Sequence, residues 1–183
     1  MKIIISGLTA SGKSTLATGL SKDLGLSIFS GSSKLREFMP SKHFESWESK
    51  KGLDAIKFRL AHPKYDRLLD DYIVTYAKNN DNFILDSWTA AWKIKGGAIK
   101  IYLKADLKIR AARVSERSHT PFESALKFMK EKDKLTAKIY NKLYKIFVDT
   151  DTTPFDLVVN SGTLSIDDLR ALCLTYIRKR HDN

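Results

Sequence analysis

Hydrophobic positions along the chain follow two rhythms. Short, mainly apolar runs occur at Ile3-Ile4-Ile5, Phe83-Ile84-Leu85, Ile99 to Leu103 (broken only by Lys100) and Leu157-Val158-Val159, with a shorter one in Ser27-Ile28-Phe29. Runs of this length predict buried strands over 2–6, 27–29, 83–85, 99–103 and 157–159. Between them, apolar residues recur every three or four positions and predict helices over 14–24, 107–117 and about 166–178. Gly25 ends the first of these helices. Ser165 or Thr163 caps the last, with Asp167 and Asp168 suited to its first turn and Arg178-Lys179-Arg180 to its end. Alternating strands and helices predict an α/β domain with a parallel sheet. Two stretches stand outside the alternation. Residues 32–80 are largely helical and carry an exposed-looking segment at 43–52. Residues 118–149, opened by Thr120-Pro121, form a second helical insertion rich in lysine.

Directly after the first apolar run stands Gly7-Leu8-Thr9-Ala10-Ser11-Gly12-Lys13-Ser14-Thr15. This is G-x-x-x-x-G-K-[ST] between a strand and a helix, the setting that gives the P-loop pattern its physical meaning. The glycines let the backbone curl so that successive N–H groups point inward at phosphate oxygens. Lys13 reaches the β- and γ-phosphates as a point charge, the Ser14 hydroxyl joins a Mg²⁺ shell, and the helix starting there adds its positive end. The motif therefore predicts binding of a nucleoside triphosphate. The expected fold is a P-loop three-layer α/β domain with a five-stranded parallel sheet, a helical acceptor-binding insertion and a lid. Its core lies at about 1–31, 81–117 and 150–183, the acceptor-binding insertion at about 32–80 and the lid at about 118–149. Insertions after the second and fourth strands fall where α/β sheets place ligand loops, and suggest a lid-closing phosphotransferase.

A chain of 183 residues with 43% hydrophobic and 29% charged positions has the size and composition of one globular domain. Its single cysteine, Cys173, rules out a disulfide framework within the chain and falls in a helical pattern with Leu169, Leu172, Tyr176 and Ile177, as a small core residue does. Met1-Lys2 leads straight into the first strand, and no apolar run is long enough to span a bilayer, so a reducing, cytoplasmic setting without membrane contact is expected. The charge adds something new. Lys+Arg 32 against Asp+Glu 21 leaves +11, which favours anionic partners in general. Thirteen Lys/Arg against five Asp/Glu lie between Lys100 and Lys145. Within that span Lys127, Lys130, Lys134, Lys138, Lys142 and Lys145 recur every three or four residues, making either a solvated helix face or a phosphate-facing one.

With these residues in hand, the chain resembles the cytidylate kinase branch of the nucleoside monophosphate kinases over nearly its whole length. The resemblance rests on the P-loop and on four further segments. Phe29 to Glu37 (FSGSSKLRE) is similar to the family's second strand, serine-containing turn and arginine-bearing helix. Ala98 to Ala105 with Arg110-Ala111-Ala112-Arg113 is similar to its fourth strand and lid-proximal helix. Lys130-Glu131-Lys132-Asp133 stands at its lid motif, and Asp156 to Ser165 at its last strand and adenine-side loop. Three positions depart from the pattern. Ser87-Trp88 follows Asp86 where the family has Gly-Arg, and lysine and isoleucine stand at 132 and 139 where it has lid arginines. Lysine keeps the charge without the planar fork that grips phosphate.

The resemblance implies ATP as donor, Mg²⁺ as cofactor and a pyrimidine nucleoside monophosphate, CMP or dCMP, as acceptor. The donor would be held by Gly7, Leu8, Thr9, Ala10, Ser11, Gly12, Lys13, Ser14 and Thr15, with Arg113 near the adenine. Arg110, Arg113 and Arg117 share one helix face. Ser32, Arg36, Asp86 and Trp88 would face the acceptor, with Arg36 on its phosphate. Lys13, Asp86 and Lys132 would carry the chemistry, and Ser14 would ligate the metal. The chain is expected to act as a monomer on a small nucleotide, with nucleic acid possible but not required. Two alternatives stay open. One is a kinase for a hydroxyl-bearing small molecule, in which Asp86 is the general base and Trp88 recognises an aromatic ring. The other is a basic ATP- or nucleic-acid-binding protein with little transfer activity. Trp88 and Trp92, four apart, can also simply pack on one helical face. The four histidines have no ligand spacing among themselves or with Cys173, so no structural metal site is expected.

Overall fold

The computed structural model describes residues 1–40 and 50–181. Its elements run β1 (Lys2–Gly7), α1 (Lys13–Leu24), β2 (Ser27–Ser30), α2 (Gly31–Phe38), α3 (Lys50–Ala61), α4 (Lys64–Asn79), β3 (Phe83–Asp86), α5 (Ala90–Lys93), β4 (Ile99–Lys104), α6 (Leu107–Ser118), α7 (Phe122–Tyr144), β5 (Leu157–Asn160) and α8 (Ile166–His181). All five strands are parallel in the order β2-β3-β1-β4-β5. The expected strands and core helices all form. Most of the segment at 43–52 lies outside the described residues. Its end opens α3, where Gly52 is buried rather than exposed.

The apolar runs form strands because both faces of the sheet are covered. Ile3 and Ile5 point to one side, against Leu16 and Leu20 of α1 and Leu169, Cys173 and Ile177 of α8. Ile4 points to the other, with Phe83 and Leu85, against Leu35 of α2 and Leu69 and Ile73 of α4. Burial pushes the Cys173 thiol up to about 11, so it packs as a neutral small residue. Smaller cores join α7 to α6 through Ala111, Val114, Ala125 and Met129, and α7 to α3 through Ile56, Ile139 and Tyr140.

Local chemistry sets the ends of the elements. Gly25 closes α1 at φ 66 with its N–H on the Ser21 carbonyl. At α8 the cap is Ser165: its hydroxyl accepts from the Asp168 N–H at 3.1 Å and donates to the Asp168 carboxylate at 2.6 Å. Thr163 instead bonds the Asn160 carbonyl. Trp88 and Trp92 do not share a helical face, because α5 begins only at Ala90. Trp92 packs edge-to-face against the Phe155 ring and donates to Asp151 at 2.7 Å.

Candidate active site

Strand β1 lies at the centre of the sheet, so its carboxyl end delivers the P-loop between the ends of β3 and β4. Gly7 runs at φ 146, and a Cβ there would stand 2.4 Å from the Leu103 carbonyl oxygen of β4. Only glycine allows that approach. Gly12 turns the chain into α1 at φ 97, and Ala10 between them takes φ 61, a left-handed conformation strained for a residue with a side chain. Two arginines of α6 hold the loop in this shape from behind. Arg110 donates to the Thr9 carbonyl at 3.2 Å and Arg113 to the Ala10 carbonyl at 3.1 Å. Arg113 also donates to the Ser161 carbonyl at 2.7 Å, tying the P-loop to the turn after β5. These bonds fix the curled backbone that a P-loop offers to phosphate oxygens.

The concave side opens on a cavity of about 190 Å³. Thr9, Ala10, Gly12, Lys13, Ser14 and Thr15 line it at the phosphate-loop end. Asp86 ends β3 in register with Ile5 and accepts a 2.6 Å hydrogen bond from the Ser14 hydroxyl. Two oxygen ligands side by side at the phosphate loop are the donor set that suits Mg²⁺. Lys13 is buried, with its amine on the Leu8 carbonyl at 3.1 Å. Burial is the main cause that lowers its pKa; Asp86 opposes the shift, and Arg110 and Arg117 add to it. An arriving polyanion would reverse the shift.

The other wall comes from the two insertions. Lys132 of α7 is buried and lines the cavity, while the six lysines of the periodic stripe are exposed. The stripe is thus the solvated face of α7, and Lys132 the residue turned inward. Ile139 packs in the α3–α7 core. Arg117, exposed at the end of α6, lines the rim. Ser32, Ser87 and Trp88 line the cavity beyond the phosphate loop, together with Leu35, Ile56 and Leu69. The Lys13 amine stands 5.5 Å from the Trp88 ring centre, a cation–π contact inside the cavity. Arg36 is exposed on α2 and does not line the cavity.

The sequence did not reveal the places of three further contributors. Arg110, read as one of a helix face, is 3% exposed and makes a two-pronged ion pair with Asp133 at 2.6 and 3.2 Å, joining α6 to α7 behind the loop. Arg59 of α3 lines the cavity, and its charge is held by Asp66 of α4. Tyr140 of α7 also lines it and accepts from Arg59 at 3.2 Å. Tyr140 is 81 positions from Arg59, so no spacing rule could have joined them.

The model of the cytidylate kinase-like family matches residues 2–163. A cytidylate kinase from Pyrobaculum islandicum is 36% identical over 179 residues, covering 96% of this chain and 91% of that protein. One from Saccharolobus islandicus is 31% identical over 187 residues, covering 100% and 94%. Among solved structures, shikimate kinase from Acinetobacter baumannii superposes with a TM-score of 0.60 at 14% identity, covering 98% and 93%, a likeness of fold. Together with a phosphate loop, a Ser14–Asp86 oxygen pair and an inward lysine around one cavity, these matches establish that the chain belongs to the cytidylate kinase-like family.

Proposed function

We propose that the protein transfers the γ-phosphate of ATP to a pyrimidine nucleoside monophosphate, CMP or dCMP first. The observation that carries this reading is the convergence of Lys13, Ser14, Asp86 and Lys132 on one cavity that continues into an acceptor half lined by Ser32 and Trp88. The P-loop N–H groups hold the triphosphate, and Lys13 leaves the Leu8 carbonyl for the β- and γ-phosphate oxygens. Ser14 and Asp86 would hold Mg²⁺, which supplies charge neutralisation on the same oxygens. An acceptor phosphate oxygen attacks the γ-phosphorus, the bond to the ADP oxygen breaks, and Lys132 faces the charge that spreads over the moving group. A monophosphate has its second ionisation near pH 6, so it arrives as a nucleophile and needs no base. In this reading the protein works as a cytoplasmic monomer on a small nucleotide, with nucleic acid not required. Among the described residues no helix is long and apolar enough to cross a membrane.

The test is ATP consumption with Mg²⁺ across ribo- and deoxynucleoside monophosphates, with Lys13→Ala as the blank. Turnover on CMP or dCMP that the blank abolishes supports the reading; ATP bound with no monophosphate turned over sinks it. The second reading, an alcohol acceptor, is favoured by one observation: Trp88 stands beside Lys13 where the family resemblance puts an arginine. It requires Asp86 to take the hydroxyl proton, so Asp86→Asn would abolish turnover of a hydroxyl compound at every magnesium concentration.

A further inference from the structure

Successive carbonyls of the phosphate loop, from Leu8 to Ser11, each accept a hydrogen bond from a side chain. Lys13 holds the first through its amine, which a triphosphate draws away. Arg110 and Arg113 hold the next two from α6. The last is held by a residue that the transfer chemistry does not use. The Ser161 hydroxyl donates to the Ser11 carbonyl at 2.6 Å, across 150 positions of chain.

Ser161 follows β5 directly and is 2% exposed. Its N–H donates to the Lys104 carbonyl at the end of β4 at 2.8 Å, and its own carbonyl accepts from Arg113 at 2.7 Å. The Lys104 oxygen also lies 3.3 Å from the hydroxyl, but a hydroxyl has one proton, and the shorter contact is to Ser11. Every polar group of Ser161 is thus used inside the fold, at a residue closed to solvent.

The peptide that Ser161 holds has little else to orient it. It joins Ser11 to Gly12, between positive φ angles of 61 at Ala10 and 97 at Gly12. A glycine on its far side lets a peptide rotate at low steric cost, so backbone sterics alone do not choose its direction. A peptide is planar and trans, so a carbonyl tied to Ser161 aims the Gly12 N–H the opposite way. In a P-loop the N–H groups of this stretch are donors to phosphate. Resting on the ATP-binding half of the proposed function, we infer that Ser161 is a positioning residue whose hydroxyl sets the Ser11–Gly12 peptide for the triphosphate. The turn after β5 thereby acts on the phosphates of the donor and not on its base.

The experiment measures binding of ATP, inorganic tripolyphosphate and CMP by calorimetry with Mg²⁺, tripolyphosphate also being read as a competitor of ATP. The proteins are the wild type, Ser161→Ala, and Ser161→Cys, which nearly keeps the volume but is a weak donor. Both variants should lose ATP affinity by about tenfold, the scale of a buried acceptor left without its donor. The same loss should appear with tripolyphosphate, while the Kd for CMP stays within about twofold. A role at the base would weaken ATP and spare tripolyphosphate. A merely structural role would lower Tm and weaken all three ligands alike. Either pattern overturns the inference, as does an unchanged ATP affinity in a folded variant. So does a wild type that binds ATP but not tripolyphosphate, since its phosphates are then held through the nucleoside. Should Ser161→Ala fail to fold, Ser161→Cys fills the site and carries the same comparison. The expected losses without turnover of any monophosphate by the wild type sink the kinase reading and leave this inference standing. A wild type that binds neither triphosphate overturns both.

Discussion

At Gly7 the backbone takes φ 146 with β4 so close that a single added carbon would meet the Leu103 carbonyl at 2.4 Å. Gly7→Ala therefore has to move either the loop or the strand, at a cost of about 1–3 kcal/mol in unfolding free energy. ATP affinity should fall with it, read by chemical denaturation and by nucleotide titration; an unchanged Kd would show that the loop tolerates the shift. Asp70 makes the opposite kind of statement. Burial is the main cause that raises its carboxyl above the ordinary 3.8, against the opposing effects of Tyr144, Lys93 and Thr89. The folded state then binds more protons than the unfolded state between 3.8 and the raised value, so this residue's contribution to stability falls as pH rises through that window. Compared with Asp70→Asn, the wild type should gain in Tm as pH is lowered from about 7 to about 4.5. A Tm difference that stays flat over that range would contradict the assignment.

Along α7 the same residue type does two unrelated jobs, and the helical period separates them. Lys127, Lys134 and Lys142 lie on the solvated face, whereas Lys132 is 4% exposed and lines the cavity. Replacing those three by glutamate should leave kcat/KM within about twofold at physiological salt, where exposed charges are screened beyond about 8 Å. Lys132→Ala should lower kcat by about 10²–10³, the usual cost of removing one group aimed at transition-state charge. The pairing of α6 with α7 tests differently. Asp133 is the carboxylate that balances Arg110 behind the P-loop. Asp133→Asn leaves that guanidinium largely buried without its counter-charge and should cost about 2–4 kcal/mol. The weakening should also reach ATP binding, because Arg110 holds the Thr9 carbonyl.

Across the whole molecule, α4 and α7 are joined by two polar rungs one helical turn apart. Asp66 and Tyr140 meet at Arg59 from α3. Asp70 and Tyr144 meet at Lys93 from α5, whose amine is 3.5 Å from the carboxylate and 3.4 Å from the ring centre. Thr89 adds a 3.1 Å bond to Asp70. The carboxyl half of α7 is thereby fastened to α3, α4 and α5, so it should exchange amide hydrogens with α4 as one unit. Tyr144→Phe keeps the ring that Lys93 covers and should leave this unit intact, whereas Asp70→Ala should speed exchange in α4 and in the end of α7 together. Faster exchange confined to α4 would mean that the rungs do not couple the insertions.

Much of the site could be read from residue order because its causes are local. A strand, a glycine turn and Lys13-Ser14 lie within fifteen residues, and the backbone geometry of such a stretch follows from its own side chains. The central strands were visible for the same reason, since β1 and β3, covered on both faces, carry unbroken apolar runs. The helical period could separate Lys132 from the stripe but not say which way it turned. Arg59, Arg110 and Tyr140 could not be assigned by pattern, because a charged or phenolic residue in a helix looks the same whether it faces solvent or a carboxylate. Asp133 lies 23 positions from Arg110 and Tyr140 lies 81 from Arg59. Burial and pairing over such separations depend on how the two insertions pack against the sheet, and that packing sums many weak contacts that no short motif records.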